Sequence, residues 1–506
     1  MEVVRGVSVA ALLAAAGCGA WGDRLACGDQ GCEFTEDEWA RVKALANVTA
    51  TPVPPDLSNR YLPLADWTTG DLLPDAASSP IVNLGWHLYY ETRLSGSRSD
   101  KDSTGAYAPT PRKITCGQVG LACASCHDPE HEGSDDTSVP RHVSVGAGWY
   151  DVNSQQTLNA ARFSSLYWNG RTDAVWAQAA QVMESAVSMN GYRTKTFWVV
   201  VTRYRAAYDA VGFTAPTAAE IDALAARLAA TAPSLVTGTS KEFKAQYTDV
   251  LTEDEKKVVL QVHVNAAKAI AAYELLLSSD NSPFDKFVQQ GPSSTALTPS
   301  AVRGLKLFVG RASCIDCHNT PMFSDGKFHN IGIAQTGDHV PTVEACAPAG
   351  NLDCDCSSGV TSKSCLPSGA FGGRQKLLMP AADQFFHRGG DYDDSVGKTP
   401  LDPTPPDDRL LGAWRTPSLR DVAKTAPYMH DGSLATLTDV LWHYSEADGA
   451  PALGKSELAP LQLDAQDRED LVAFLQSLTG EPGWSQQLGG PAWAGLMHKP
   501  PDQAEP

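Results

Sequence analysis

Cys123-Ala124-Ser125-Cys126-His127 recurs further along the chain as Cys314-Ile315-Asp316-Cys317-His318. Cys-x-x-Cys-His is the attachment pattern of a c-type haem. The chemistry needs this spacing. Two thiols add across the two vinyl groups of one haem, and the next residue turns its imidazole to the iron. His127 and His318 are then the proximal iron ligands, and Cys123, Cys126, Cys314 and Cys317 the anchors. With 12 Cys and 12 His in 506 residues, chance supplies on the order of 0.01 such matches. A zinc site would need further Cys or His at suitable spacing. A thioredoxin-like redox pair should sit beside a strand-helix-strand pattern, and none is visible. Two covalent haems are therefore the first constraint on the fold.

The chain is long enough for two or three domains with sizeable cores. Its formal net charge is -19, which argues against nucleic acid and against an anionic membrane surface. Arg5 precedes an apolar run from Val7 to Ala16, followed by Gly17-Cys18. Residues 1-18 resemble a bacterial lipoprotein signal with Cys18 as the lipidated residue; the alternative is a plain export signal. Either reading makes the protein periplasmic, and the first adds a lipid anchor in the outer membrane. No later apolar run is long enough to span a bilayer. Cys27, Cys32, Cys116, Cys346, Cys354, Cys356 and Cys365 remain. Disulfides among them would suit an oxidising compartment, with a connectivity that sequence does not give.

Residues 19-80 read as an extension ending in a linker at Thr51-Pro52-Val53-Pro54-Pro55. An N-terminal haem unit follows over 81-290 and a C-terminal one over 291-480. A Cys-rich excursion at 337-406 is too long for a plain connection. Residues 481-506 form a tail expected to lie on the surface. Leu84, Leu88 and Tyr89 suit one helix face. Further helices are expected over 174-187 (capped by Thr172-Asp173), 218-230, 253-277, from Thr298-Pro299 onward, and over 464-478. The fold class is mainly α, two cytochrome c-like haem domains with long loops and little sheet.

Several segments in this order strengthen the reading: Leu84-Gly85, Arg93-Leu94-Ser95, Asn153 through Asn159, Trp168-Asn169-Gly170-Arg171, Gln178-Ala179 and Ser282-Pro283-Phe284-Asp285. After the second haem motif come Phe323-Ser324-Asp325, Phe328 through Gly332, Thr416 through Arg420, and Thr425 through Gly432. Together they resemble the bacterial di-haem cytochrome c peroxidase family, which includes the MauG-like enzymes, from about Leu84 to Leu478. The resemblance implies a peroxide-reactive N-terminal haem, an electron-transferring C-terminal haem and a calcium ion between them. Trp168 matches the tryptophan between the haems. Tyr444 matches the distal ligand of the second haem in MauG-like members, where simple peroxidases use Met; Met429 is the competing ligand. Gln178 matches the peroxide-site Gln. The acid-base Glu expected ten residues later is Ser188, and Glu184, four residues before it, could substitute if the helix continues. Asn153, Thr416 and Ser418 match calcium positions. His142 lies near the loop of a displaceable first-haem ligand, and an exposed loop His is the plainer reading.

The resemblance implies reduction of hydrogen peroxide with electrons from a small cytochrome or cupredoxin. The alternatives are oxidation of Tyr or Trp on a partner protein, as in MauG-like enzymes, and a non-enzymatic electron carrier.

Overall fold

The computed structural model describes residues 34–46, 78–96, 120–129, 132–135, 144–147, 152–185, 187–334, 412–447, 454–482 and 494–501, with short pieces at 65–66, 71–72, 150, 386–387, 390–393, 410 and 449. The signal, the Pro-rich linker, His142, most of the 337-406 excursion and every cysteine outside the two haem motifs lie outside these residues. The described chain is mainly α. Its sheet consists of three two-stranded antiparallel pairs, and no described helix is long and apolar enough to cross a membrane.

Each haem motif is served by two long helices that cross at a glycine. In the first unit these are α2 (Pro80–Tyr89) and α8 (Glu253–Glu274). Pro80 opens α2, where its missing N–H costs nothing. Thr252 caps α8 in a reciprocal box with Glu255, and Glu253, Asp254 and Glu255 meet the positive helix end. A Cβ on Gly85 would lie 1.8 Å from the Ala269 carbonyl oxygen, so only glycine allows the backbones this close. Around the pair stand α3 (Val175–Glu184), α4 (Arg193–Arg203), α5 (Arg205–Val211), α6 (Ala218–Leu228) and α7 (Ser240–Ala245).

The second unit repeats the device. Thr298 caps α10 (Pro299–Val309), which crosses a terminal helix, Ala465–Gln476, capped by Asp464. Here a Cβ on Gly304 would sit 2.0 Å from the Asp470 carbonyl oxygen. Helix α9 (Pro283–Gln290), expected at the end of the first unit, belongs to this second core. Its Phe284 packs edge-on against Phe323 and Phe474. The remaining helices are α11 (Leu437–Glu446) and, as the terminal helix, α12.

Both ends of the described chain cross over. Helix α1 (Glu36–Ala44), within the expected extension, buries Val42, with Leu45 just beyond it, in the second core. Arg41 donates to the Val309 carbonyl, and Arg420 to that of Leu45. The tail is not merely draped on the surface. Met497 is buried in the first core, and Trp86, Tyr90 and Tyr273 donate to the carbonyls of His498, Met497 and Leu496. Three aromatic donors with a polar tip need such acceptors once their rings are buried.

Ser279–Asp280 pairs with Glu481–Pro482, and within the second unit Phe328–His329 pairs with Trp414–Arg415. Buried Arg420 pairs with Asp285 at 2.6 Å.

Candidate haem centres and the bridge between them

Both haem motifs fold as a single tight 3₁₀ turn, Cys123–Ser125 and Cys314–Asp316. In each, the histidine N–H returns to the carbonyl of the first cysteine, at 3.0 Å for His127 and for His318. His127 Nδ1 lies 3.3 Å from the Gly133 carbonyl, and His318 Nδ1 lies 2.5 Å from that of Phe323. A carbonyl only accepts, so Nδ1 carries the proton and Nε2 keeps its lone pair for a metal. Burial pushes the His318 pKa down, against the pull of the Phe323 carbonyl, which keeps the ring neutral. None of the four cysteines is in a disulfide, and burial pushes the Cys314 thiol up to about 12 and that of Cys123 higher still. The residues fit covalent haem at both turns.

Gly133 shows how closely the first site is built. Its φ is +71°, and a Cβ there would come within 2.3 Å of Thr157 Oγ1. Thr157 N donates to the same Gly133 carbonyl that takes His127, while Tyr89 donates to the His127 carbonyl at 2.7 Å.

Tyr444 lies on α11, begun by a Thr436–Asp439 capping box. Its phenol faces the second motif. Burial raises its pKa well above the usual value, and Cys314 and Cys317 add to the rise. Next to it, His443 bonds the Ile331 carbonyl at 2.7 Å. Cys317, Asp325 and His329 also converge. His329 is bracketed by Glu457 at 2.9 Å and Asp325 at 3.1 Å. The Cys317 sulfur and these carboxylates raise its pKa to about 10.

Trp168 stands at the junction. Its indole N–H donates to the Asn153 carbonyl at 2.9 Å, and its own carbonyl takes the Arg415 N–H. Across from it, His430 meets the Trp168 ring edge at 6.4 Å and stacks on Trp414 at 3.9 Å and 21°. Burial drives His430 down to about 3, so this ring is neutral. The aromatic ladder Trp168–His430–Trp414 thus runs from the first unit into the second. Nothing in the sequence marked Trp414; His430 lay in a quoted segment without a role.

The peroxide-site residues fall differently from expectation. Helix α3 starts at Val175 with no side-chain cap and ends at Glu184, short of Ser188. The reason is Arg193. Glu184 accepts its backbone N–H at 2.9 Å, serving the start of α4, and its guanidinium at 2.7 and 2.5 Å. Burial alone would raise the Glu184 pKa, but His263 and Arg193 outweigh it and hold the carboxyl low. Ser188 sits in the turn beyond, bonded to Ser185, so the two do not share a helix face. Gln178 bonds the phenol of Tyr167, whose ring carries Arg171 3.4 Å away. Arg171 in turn donates to Tyr150.

The calcium residues do not present a free set of oxygens. Asn153 Oδ1 accepts from Ser144 Oγ at 2.8 Å and Ser154 N at 3.1 Å. The Thr416 carbonyl accepts from Ser324 Oγ and the Arg415 guanidinium, and Ser418 Oγ donates to Met322. A hard cation wants unshared oxygens, and the Asn153 and Thr416 oxygens named here are already bonded within the protein.

Two haem-attachment turns, each on a crossed helix pair and joined by an aromatic ladder, define a di-haem c-type oxidoreductase. The chain belongs to the di-haem cytochrome c peroxidase family, whose profile matches residues 79–293. It is 30% identical over 417 residues to the cytochrome-c peroxidase IdrP1 of Denitromonas iodatirespirans, covering 80% of this chain and 84% of that one. It is 26% identical to the methylamine utilization protein MauG of Methylorubrum extorquens (81% and 82% covered) and 26% to the cytochrome c551 peroxidase of Pseudomonas aeruginosa (71% and 73%). Among solved structures, a MauG-like protein associated with microbial copper homeostasis aligns with a TM-score of 0.44 at 22% identity, over 79% of this chain and 90% of that one.

Proposed function

We propose that the protein reduces hydrogen peroxide at the His127 haem with electrons relayed from the His318 haem. The observation that carries this reading is the Trp168–His430–Trp414 ladder between two equally built haem turns. The haems would supply the iron that accepts peroxide and the electrons that follow. The protein's own part is orientation. Gly133 and Phe323 hold the two imidazoles, and Trp168 is fixed by Asn153 and Arg415. Glu184 is committed to Arg193, so no carboxylate base is assigned at the peroxide site, and turnover is expected to be slow. Calcium carries no step. The reading takes the protein to be exported to the periplasm and held to the outer membrane by lipid on Cys18, on the strength of residues 1-18 alone. Its electrons come from a small cytochrome or cupredoxin.

Tyr444 favours a second reading, oxidation of Tyr or Trp on a partner protein as in MauG-like enzymes. A phenolate ligand would stabilise oxidised iron, whereas a thioether raises the potential. Peroxide titration of the purified di-haem protein, followed optically and by Mössbauer spectroscopy, separates the two. Reaction only after one-electron reduction, with rapid return on adding reduced donor, is expected for the peroxidase. Two oxidising equivalents stored from the fully ferric protein, and lost in Tyr444→Phe, would favour the second. Inertness in both redox states would leave an electron carrier and sink both.

A further inference from the structure

Arg415 is a buried charge without a counter-charge among the described residues. It is 4% exposed. Nε donates to the Tyr167 carbonyl at 3.3 Å, Nη1 to the Thr416 carbonyl at 3.4 Å and Nη2 to Gln155 Oε1 at 3.3 Å. Its cationic face lies over Phe163 at 4.1 Å. All three acceptors are neutral, and all three bonds are long. Among the described residues no carboxylate acts on it, and burial alone lowers its pKa to about 10. Arg420, just as buried, shows the usual solution, with Asp285 at 2.6 Å. Buried charges are normally paired, and a guanidinium has five N–H groups suited to a carboxylate fork.

The position of Arg415 says what could pair with it. Gln155 lies two residues before Thr157, whose N–H shares the Gly133 carbonyl with His127. The Thr416 carbonyl also takes Ser324 Oγ, next to Phe323, whose carbonyl holds His318. The Arg415 backbone N–H is bonded to Trp168. The guanidinium therefore stands between the loops that orient both imidazoles. A haem tethered by its vinyl edge carries two propionate carboxylates on the opposite edge, and these are the anions that the described residues do not supply. We propose that Arg415 anchors a haem propionate at the junction of the two units and, by its positive charge, raises that haem's potential. Arg415 is on this account a positioning residue. The inference rests on the two-haem reading, which a haem count per chain tests separately.

A crystal structure of the holoprotein is the direct test. A propionate oxygen within hydrogen-bond distance of an Arg415 nitrogen is expected. An Arg415 that keeps only its three carbonyl-type acceptors, with every propionate elsewhere, would overturn the proposal. In solution, spectroelectrochemical titration of Arg415→Met should show one haem with a lowered midpoint potential, and Arg415→Lys should restore most of it. If Arg415→Met melts earlier but both potentials stay in place, the residue is only a structural tie and the proposal fails. Should Arg415→Met not accumulate, the lysine variant and the holoprotein structure still decide.

Discussion

Asp421 is a buried carboxylate that accepts from Ser279 Oγ and the Gly480 N–H, both at 2.8 Å. Burial raises its pKa to about 6, and these two bonds only partly oppose the rise. Its folded pKa thus exceeds the unfolded one near 3.8, so the proton favours folding. This stability is fully present below about pH 4 and is lost as pH rises through about 6, by roughly 3 kcal/mol. Urea midpoints measured from pH 4 to 7 should show a falling component that Asp421→Asn abolishes; an unchanged profile in that variant would refute the assignment. At this scale the sequence was legible where chemistry fixes spacing. The two haem turns were readable from the repeated motif. Glu184 was not legible, because its partner Arg193 lies nine residues on and across a turn. Arg415 was equally hidden, since an arginine in a strand reads as solvated until its burial is seen.

The crossed helix pairs α2–α8 and α10–α12 are the elements on which both sites depend. Alanine normally improves a helix over glycine by about 1 kcal/mol. At Gly85 and Gly304 the added methyl would strike a backbone carbonyl of the facing helix, which has no rotamer to escape into. Overpacking of this kind costs about 1–3 kcal/mol, so the clash wins. Gly85→Ala should destabilise the first unit and Gly304→Ala the second, each read from Soret-band loss during urea unfolding; a stabilised variant would show the helices free to part. The helices themselves were readable from Thr and Asp caps, from Pro at their first positions and from apolar periodicity. The end of α3 was not, because Glu184 and Arg193 terminate it through a tertiary contact. The membership of α9 was also hidden, since Phe284 and Phe287 are apolar on either side of a boundary and only packing assigns them.

For the molecule as a whole, the exchange of ends is the feature no motif announced. Cutting the chain after Pro482 would remove Met497 from the first core and the acceptors of Trp86, Tyr90 and Tyr273. Burial of one Met and three modest hydrogen bonds put the loss on the order of 3–7 kcal/mol. Calorimetry of the truncated protein should lower the transition of the first unit and leave the second in place; equal shifts in both, or none, would count against it. Two cores and mainly helical content followed from the doubled motif, whereas the partners of the extension and the tail are set by surfaces that sequence does not display. The crossing also bears on biosynthesis. A ribosome releases α1 long before the core it enters, and it releases Met497 after everything else in the first unit. Neither haem domain reaches its full stability until nearly the whole polypeptide has been made, which lengthens the time for which both pairs of thiols are within reach of the machinery that attaches haem.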